Sequence, residues 1–228
     1  MAGNLRAPME GDRAKMDLFA ADVERDRAIC GRSLACDAAT TLASAGAHDP
    51  TATPYFVLEE LLPAMGLDVQ SHLLDVGCAL GRVLAYCVDV GCPARVTGLE
   101  LDPELAREAA SWASAYPRFE VRCGSVLDES LAPYTHFYLF NPFDTAVLVR
   151  FLDRLERQAR QAVTVVHMSD NGERYAYLGR SGWQVLKQGS IQDHRLPSGR
   201  TVRVYAHPQS YTIWRYDPRR HEQAARRG

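Results

Sequence analysis

An acid followed by small residues at every second position marks the segment of the chain best suited to bind a ligand. The segment 72–84 reads HLLDVGCALGRVL, in which an apolar run indicates a buried strand and the later apolar residues indicate a helix. Glycines between them let the backbone approach a ligand closely, and the first N–H groups of a helix attract an anionic group. We therefore expect cofactor contacts from the turn residues Asp75, Gly77, Cys78, Ala79 and Gly81.

A second acid, Glu100, ends the next strand-like segment, 95–100, and is followed by Asp102 and Pro103, which favour a helix start. An ionised carboxylate offers several lone pairs and can accept hydrogen bonds from both hydroxyls of a ribose. The alternative for Glu100 is a solvated or helix-capping acid.

Further polar residues follow the later strand-like segments. Asn141, Pro142 and Phe143 come directly after an apolar run, and His167 ends the almost wholly apolar segment 162–167. Strands of a parallel sheet end at one edge, where open α/β sheets bind ligands. With an ordinary pKa of about 6.5, His167 is a candidate proton acceptor. A strand-ending turn and a merely hydrogen-bonded histidine are the structural alternatives.

The elements that must position these residues alternate between strand and helix. Helical patterns cover 55–65, 82–88, 103–116 and 146–160, and strand patterns cover 72–76, 95–100, 119–122, 135–140 and 162–167. We expect 183–191 and 201–207 to pair as a long hairpin through the turn at 197–199. A helical segment, 16–44, precedes this core, and Gly31 offers a division into two helices.

The turn does not fit the dinucleotide-binding fingerprint, which needs three glycines in the pattern G-x-G-x-x-G. Counted from Gly77, the second glycine position holds Ala79 and the third holds Arg82. A nicotinamide-dependent oxidoreductase is therefore the weakest of the functions that we consider.

Taken together, the spaced small residues after Asp75, the acid Glu100 and the later strand ends resemble the class I S-adenosylmethionine-dependent methyltransferases over residues 55–207. The resemblance implies an α/β fold: a doubly wound, mostly parallel seven-stranded sheet with a C-terminal antiparallel hairpin and an N-terminal helical extension. It implies that the turn holds the methionine portion of S-adenosylmethionine, that Glu100 holds its ribose and that Leu101 covers an adenine face. N-terminal segments of the family commonly cover the cofactor or the substrate entrance; packing against the sheet edge has equal weight here.

Three positions depart from the family pattern. Ala79 replaces a usual glycine, and Ser125, followed by Val126, stands where an acid often accepts a hydrogen bond from the adenine amino group. Asn141-Pro142-Phe143 resembles a shortened form of the Asn-Pro-Pro-aromatic motif of amino-methylating members. The resemblance implies contacts of Ser125, Val126 and Asn141 with the cofactor, and places Asn141 and Phe143 at the transfer site. His167, expected at the same edge of the sheet, is the candidate base there.

Size and composition bound the remaining expectations. The chain has 228 residues, 46% hydrophobic residues and a net charge of -2, which suit one α/β core and give no strong nucleic-acid signal. No apolar run reaches the ~20 residues of a membrane span, and none of the six cysteines forms a C-x-x-C pair, so we expect a cytoplasmic protein without a zinc site.

The expected organisation is an extension over 1–53, a Rossmann-like methyltransferase domain over 54–216 and an Arg-rich tail over 217–228. The expected function is methyl transfer to an unidentified acceptor, with an amine of a protein or of a small metabolite as a candidate. A non-catalytic binding module is the alternative, and the departures from the family pattern at Ala79 and Ser125 support it. Oligomeric state is left open.

Overall fold

A computed structural model describes residues 10–36, 39–169 and 173–225. Six α-helices are present: α1 (Glu10–Cys30), α2 (Tyr55–Leu61), α3 (Arg82–Asp89), α4 (Pro103–Ala113), α5 (Thr145–Gln158) and α6 (Pro218–Ala225). Nine strands are present: β1 (His72–Val76), β2 (Arg95–Glu100), β3 (Phe119–Cys123), β4 (His136–Phe140), β5 (Val163–Met168), β6 (Trp183–Ile191), β7 (Asp193–Arg195), β8 (Thr201–Arg203) and β9 (Gln209–Tyr216). These counts refer to the described ranges.

Seven strands form one sheet in the order β3-β2-β1-β4-β5-β9-β6. The first five run parallel, and β9 is antiparallel to both β5 and β6. This arrangement confirms the predicted doubly wound, mostly parallel sheet with an antiparallel C-terminal pair. Because β1 lies between β2 and β4, the order of the strands reverses there, and such a point leaves a crevice at the carboxyl ends of the strands.

Two apolar layers hold the sheet. On one face, α2, α3 and α4 pack on alternate sheet residues such as Leu73 and Val96. On the other face, α5 packs on Leu74 and Phe137. The alternation of neighbouring residues between the two faces follows from the period of two in a strand, and it buries β1 and β5 almost completely.

The predicted long hairpin is wrong in its pairing. Strand β6 pairs with Gln209–Tyr216 rather than with 201–207, and the turn at 197–199 closes a small separate hairpin of β7 and β8. The turn lies at the predicted residues, but it joins two strands of only three residues each. The longer strand β9, which contains four consecutive buried residues, supplies the real partner.

The segment before the sheet differs in detail from its prediction. A single helix, α1, ends at Cys30, where Gly31 adopts a φ of 74°, and no second α-helix follows within the described residues up to 53. A short 3-10 turn, Ala43–Ala45, is present instead. At the other end, the Arg-rich tail contains α6, and residues 226–228 lie outside the described residues. No helix of the described ranges has the length and apolar character that a bilayer crossing needs.

Candidate functional site

A cavity of about 340 Å³ opens at the carboxyl ends of β1, β2 and β4. Nine of the predicted site residues line it: Asp75, Gly77, Cys78, Ala79, Glu100, Leu101, Ser125, Val126 and Phe143. Gly81, Asn141 and His167 are not among the lining residues. The structure therefore gathers most of the predicted cofactor contacts from three separate parts of the chain into one space.

The turn after β1 is built on left-handed backbone. Gly77, Ala79 and Gly81 have φ values of 76°, 47° and 92°, so the departure from glycine at Ala79 places an L side chain in a conformation that favours glycine. The N–H groups of Gly77 and Cys78 both donate to the carbonyl of Leu99, at 2.8 and 3.1 Å, which fixes the turn to β2.

The glycines of this turn are required by space as well as by φ. A Cβ on Gly77 would lie 2.8 Å from Cβ of Pro142, and a Cβ on Gly81 would lie 2.9 Å from the Trp112 ring. Gly81 therefore lets α3 begin close against α4, while Gly77 lets the turn meet the residue that follows Asn141.

Two buried carboxylates line the cavity on the side of β1 and β2. Oε2 of Glu100 accepts from the backbone N–H of Ala79 at 2.7 Å, and Oε1 accepts from that of Asp102 at 2.9 Å. Burial raises the pKa of Glu100, and burial followed by the nearby Glu100 charge raises that of Asp75. Glu100 thus lines the cleft, and its carboxylate links the end of β2 to the turn after β1.

On the β3 side, Ser125 lies in the loop that follows the strand. Its hydroxyl accepts from the backbone N–H of Leu127 at 3.1 Å, so its own proton remains available to a ligand. Val126 is buried, and Leu101 is half-buried beside the cavity.

Asn141 occupies a strained position at the end of β4. Its φ is 43°, and its side-chain Oδ1 is buried without a hydrogen-bond partner among the described residues. Phe143, two residues later, is buried and packs against Phe151 of α5. The same residue lines the cavity. An orphaned buried carbonyl oxygen is costly to leave unpaired and is suited to a donor on a ligand.

His167 is placed away from the cavity, inside the core. Its imidazole is 1% exposed, with Nδ1 3.3 Å from the Tyr177 hydroxyl and Nε2 3.6 Å from a Glu173 carboxylate oxygen. Burial lowers the pKa of His167 to about 4, so the ring is neutral at physiological pH. The structure does not bring it to the residues that surround the cavity.

The N-terminal segment 39–53 forms a wall of the cavity, a contribution that no motif in the sequence identified. Ala47 bridges to Phe143 in an antiparallel sense, and the N–H of Asp144 donates to the carbonyl of Gly46 at 2.9 Å. The residues of this segment that line the cavity are Ala39, Thr40, Thr41, Leu42, Ala45, Ala47, His48, Asp49, Pro50, Thr51, Ala52 and Thr53. Of the two expected placements for this region, covering the site is therefore the one observed for 39–53.

Arg82, which breaks the dinucleotide fingerprint, anchors α1 to the start of α3. Its guanidinium donates to both carboxylate oxygens of Asp26, at 3.1 and 2.6 Å, and its Nη1 lies 3.8 Å from Asp22. All three side chains are buried, and Asp26 also accepts from the hydroxyl of Tyr55 at 2.8 Å. Arg82, the first residue of α3, thus holds α1 in place. Helix α1 precedes the segment 39–53, which forms the cavity wall.

Comparison with known proteins gives structural matches alone. No protein-family model and no curated protein matches the chain. An RNA methyltransferase of Salinibacter ruber, solved with S-adenosyl-L-homocysteine, is 21% identical, with a TM-score of 0.52 over 72% of this chain and 92% of that one. The fold of this chain is therefore that of the class I methyltransferases.

Two further solved structures have the same fold. Precorrin-6y C5,15-methyltransferase of Geobacter metallireducens is 12% identical, with a TM-score of 0.53 over 72% of this chain and 90% of that one. The TrmN protein of Thermus thermophilus is 11% identical, with a TM-score of 0.56 over 73% of this chain and 49% of that one. Each match covers more than 70% of this chain, which supports the fold inferred from the sequence.

Proposed function

We propose that this chain transfers the methyl group of S-adenosylmethionine to a nitrogen of an acceptor. The observation that carries the proposal is the cavity beside the left-handed turn, with the acid Glu100 among its lining residues. Gly77 leaves a cradle that a Cβ would fill, and Glu100 supplies the oxygen acceptors that a ribose needs. The Salinibacter ruber structure of the same fold holds the demethylated form of this cofactor.

Each part of the cofactor has residues that fit it. Asp75, beside the turn from Gly77 to Gly81, suits the methionine portion, where a carboxylate can pair with the ammonium group. Glu100 suits the ribose, Leu101 an adenine face, and Ser125 with Val126 the adenine edge. The cofactor supplies an activated methyl group, so the chain has to align the acceptor and exclude water.

We place the acceptor beside Asn141 and Phe143. Asn141 does not itself line the cavity, but its neighbours Phe140 and Pro142 do. Its orphaned Oδ1 suits an N–H donor of the acceptor, and the Phe143 ring suits stacking against that acceptor. An amine of a protein or of a small metabolite meets these requirements. An RNA base amine meets them too, and the Salinibacter ruber relative in fold acts on RNA, so RNA belongs among the acceptors to be tested. His167 has no part in this proposal because it lies in the core.

Calorimetry with S-adenosylhomocysteine tests the cofactor site directly. Gly77→Ala combines a left-handed φ with a contact on Pro142, and we expect it to raise the dissociation constant at least tenfold, with Gly77→Arg abolishing binding. Gly66→Ala is the matched control, since Gly66 has a similar φ of 69° but nothing within 4 Å of its Cβ. We expect it to leave the dissociation constant within twofold of the wild-type value.

Glu100→Ala is expected to weaken binding as well, because the ribose loses its acceptor. Tight binding of NAD without affinity for S-adenosylmethionine would reverse the assignment. Transfer itself is measured with tritium-labelled methyl groups and three acceptor pools: total protein, total RNA and small metabolites. Cofactor binding with no label in any pool would favour the non-catalytic binding module.

A further inference from the structure

His48, in the N-terminal segment, is fastened to the end of β4 by its backbone and by its side chain. Its N–H donates to the carbonyl of Pro142 at 3.1 Å, and its ring Nδ1 lies 2.9 Å from the carbonyl oxygen of Asn141. The side chain is exposed and lines the cavity. The imidazole is thus held beside the two residues that we place at the acceptor.

The contact with Asn141 fixes the protonation pattern of the ring. A backbone carbonyl oxygen can only accept a hydrogen bond, so Nδ1 must carry the proton. In the neutral ring, Nε2 then has a free lone pair, and no hydrogen bond engages it among the described residues. A hydrogen bond from one ring nitrogen to a backbone carbonyl commonly fixes the other nitrogen of a histidine as the base.

We propose that His48 is the proton acceptor of the methyl transfer, an inference that rests on the proposed function. The lone pair of the acceptor nitrogen forms a bond to the methyl carbon while the carbon–sulfur bond breaks and its electron pair stays on sulfur. The methylated nitrogen loses its proton to Nε2 of His48, and the exposed imidazolium returns that proton to water. His167, neutral and buried, takes no part in this step.

The variant His48→Asn separates the two ring nitrogens. Its side-chain amide can still donate to the Asn141 carbonyl from the position of Nδ1, but it has no base at the position of Nε2. We expect tritium transfer from S-adenosylmethionine, to whichever pool the wild type labels, to fall at least tenfold. Affinity for S-adenosylhomocysteine should stay within twofold, and His207→Asn, an exposed histidine outside the cavity lining, should leave both quantities unchanged.

Two further measurements distinguish a base from a structural tether. Added imidazole should restore part of the transfer in His48→Ala, which a lost tether alone would not permit. Nitrogen-15 NMR of labelled histidine, assigned with His48→Asn, should show the neutral ring protonated at Nδ1. A ring protonated at Nε2, or unchanged transfer in His48→Asn, overturns the role of His48 while the cofactor site stands. Failure of the wild type to bind S-adenosylmethionine, or to label any pool, refutes the proposed function and this inference with it.

Discussion

At the scale of single residues, the site keeps charged groups where burial opposes their charge. Asp75 and Glu100 are both buried, and burial raises the pKa of each. Only Glu100 is offset by backbone N–H donors, from Ala79 and Asp102. Burying such groups opposes folding, and perturbed pKa values of this kind cluster at functional sites.

Outside the cavity, the buried Asp22 in the contact between α1 and α3 gives the effect of burial a measurable form. Burial raises the pKa of Asp22 from 3.8 to about 6, although the charge of Arg82 lowers it. The net rise in pKa corresponds to about 3 kcal/mol of folding free energy. Well below pH 3.8 the Asp22 carboxyl is protonated in both the folded and the unfolded state, so it does not lower the unfolding free energy. Between these pH values the folded state holds more protons than the unfolded state, so stability falls as pH rises and stays lower above pH 6.

We therefore expect the unfolding free energy of the wild type, relative to that of Asp22→Asn, to fall by up to about 3 kcal/mol between pH 4 and pH 7. Urea denaturation across this range measures it. Asp17→Asn, an exposed position on the same helix, should differ from the wild type by less than about 0.5 kcal/mol throughout. A difference for Asp22→Asn that does not vary with pH would contradict the assignment.

At the scale of elements, the contact of α1 with α3 depends on one buried arginine. Removing the Arg82 guanidinium leaves two buried carboxylates, Asp22 and Asp26, without their cation. Breaking a buried pair in this way costs about 3–5 kcal/mol, whereas an exposed pair contributes about 1 kcal/mol or less.

Arg82→Ala and Arg32→Ala compare these two cases within one chain. Arg32 pairs with Glu108 at 2.9 Å, but both side chains are more than 40% exposed, at 43% and 47%. We expect a loss of about 3–5 kcal/mol of unfolding free energy for Arg82→Ala and of at most about 1 kcal/mol for Arg32→Ala in urea denaturation. Equal losses would mean that Arg82 does not anchor α1.

Elements also show where the sequence supports prediction and where it stops. The positions of the first five strands along the chain, and the turn after β1, were predictable from the sequence. Short apolar runs, Gly77 and Glu100 each indicate structure within a few residues of themselves. The pairing of β6 was not, because the alternating pattern of a strand does not name its partner and the turn at 197–199 suits a short hairpin as well as a long one. His48 was missed for the same reason: its contact with Asn141 spans 93 positions of the chain.

At the scale of the whole molecule, the cavity has two sides of different origin. The floor comes from the sheet and the turn at 75–81, while a wall comes from 39–53, which reaches the end of β4 through Phe143 and Pro142. We expect a ligand that fills this space to contact both sides at once. Binding should therefore stabilise two regions that are distant in sequence.

Hydrogen exchange with and without saturating S-adenosylhomocysteine tests this coupling. We expect slower exchange in the turn at 75–82 and also in 40–49, where the His48 N–H is bonded to Pro142. Strand β6, at the far edge of the sheet, is the internal reference and should change least. Protection confined to 75–82 would show that the segment 39–53 does not contact the bound molecule. Protection of both regions would show that the bound molecule contacts the wall at 39–53 as well as the turn after β1.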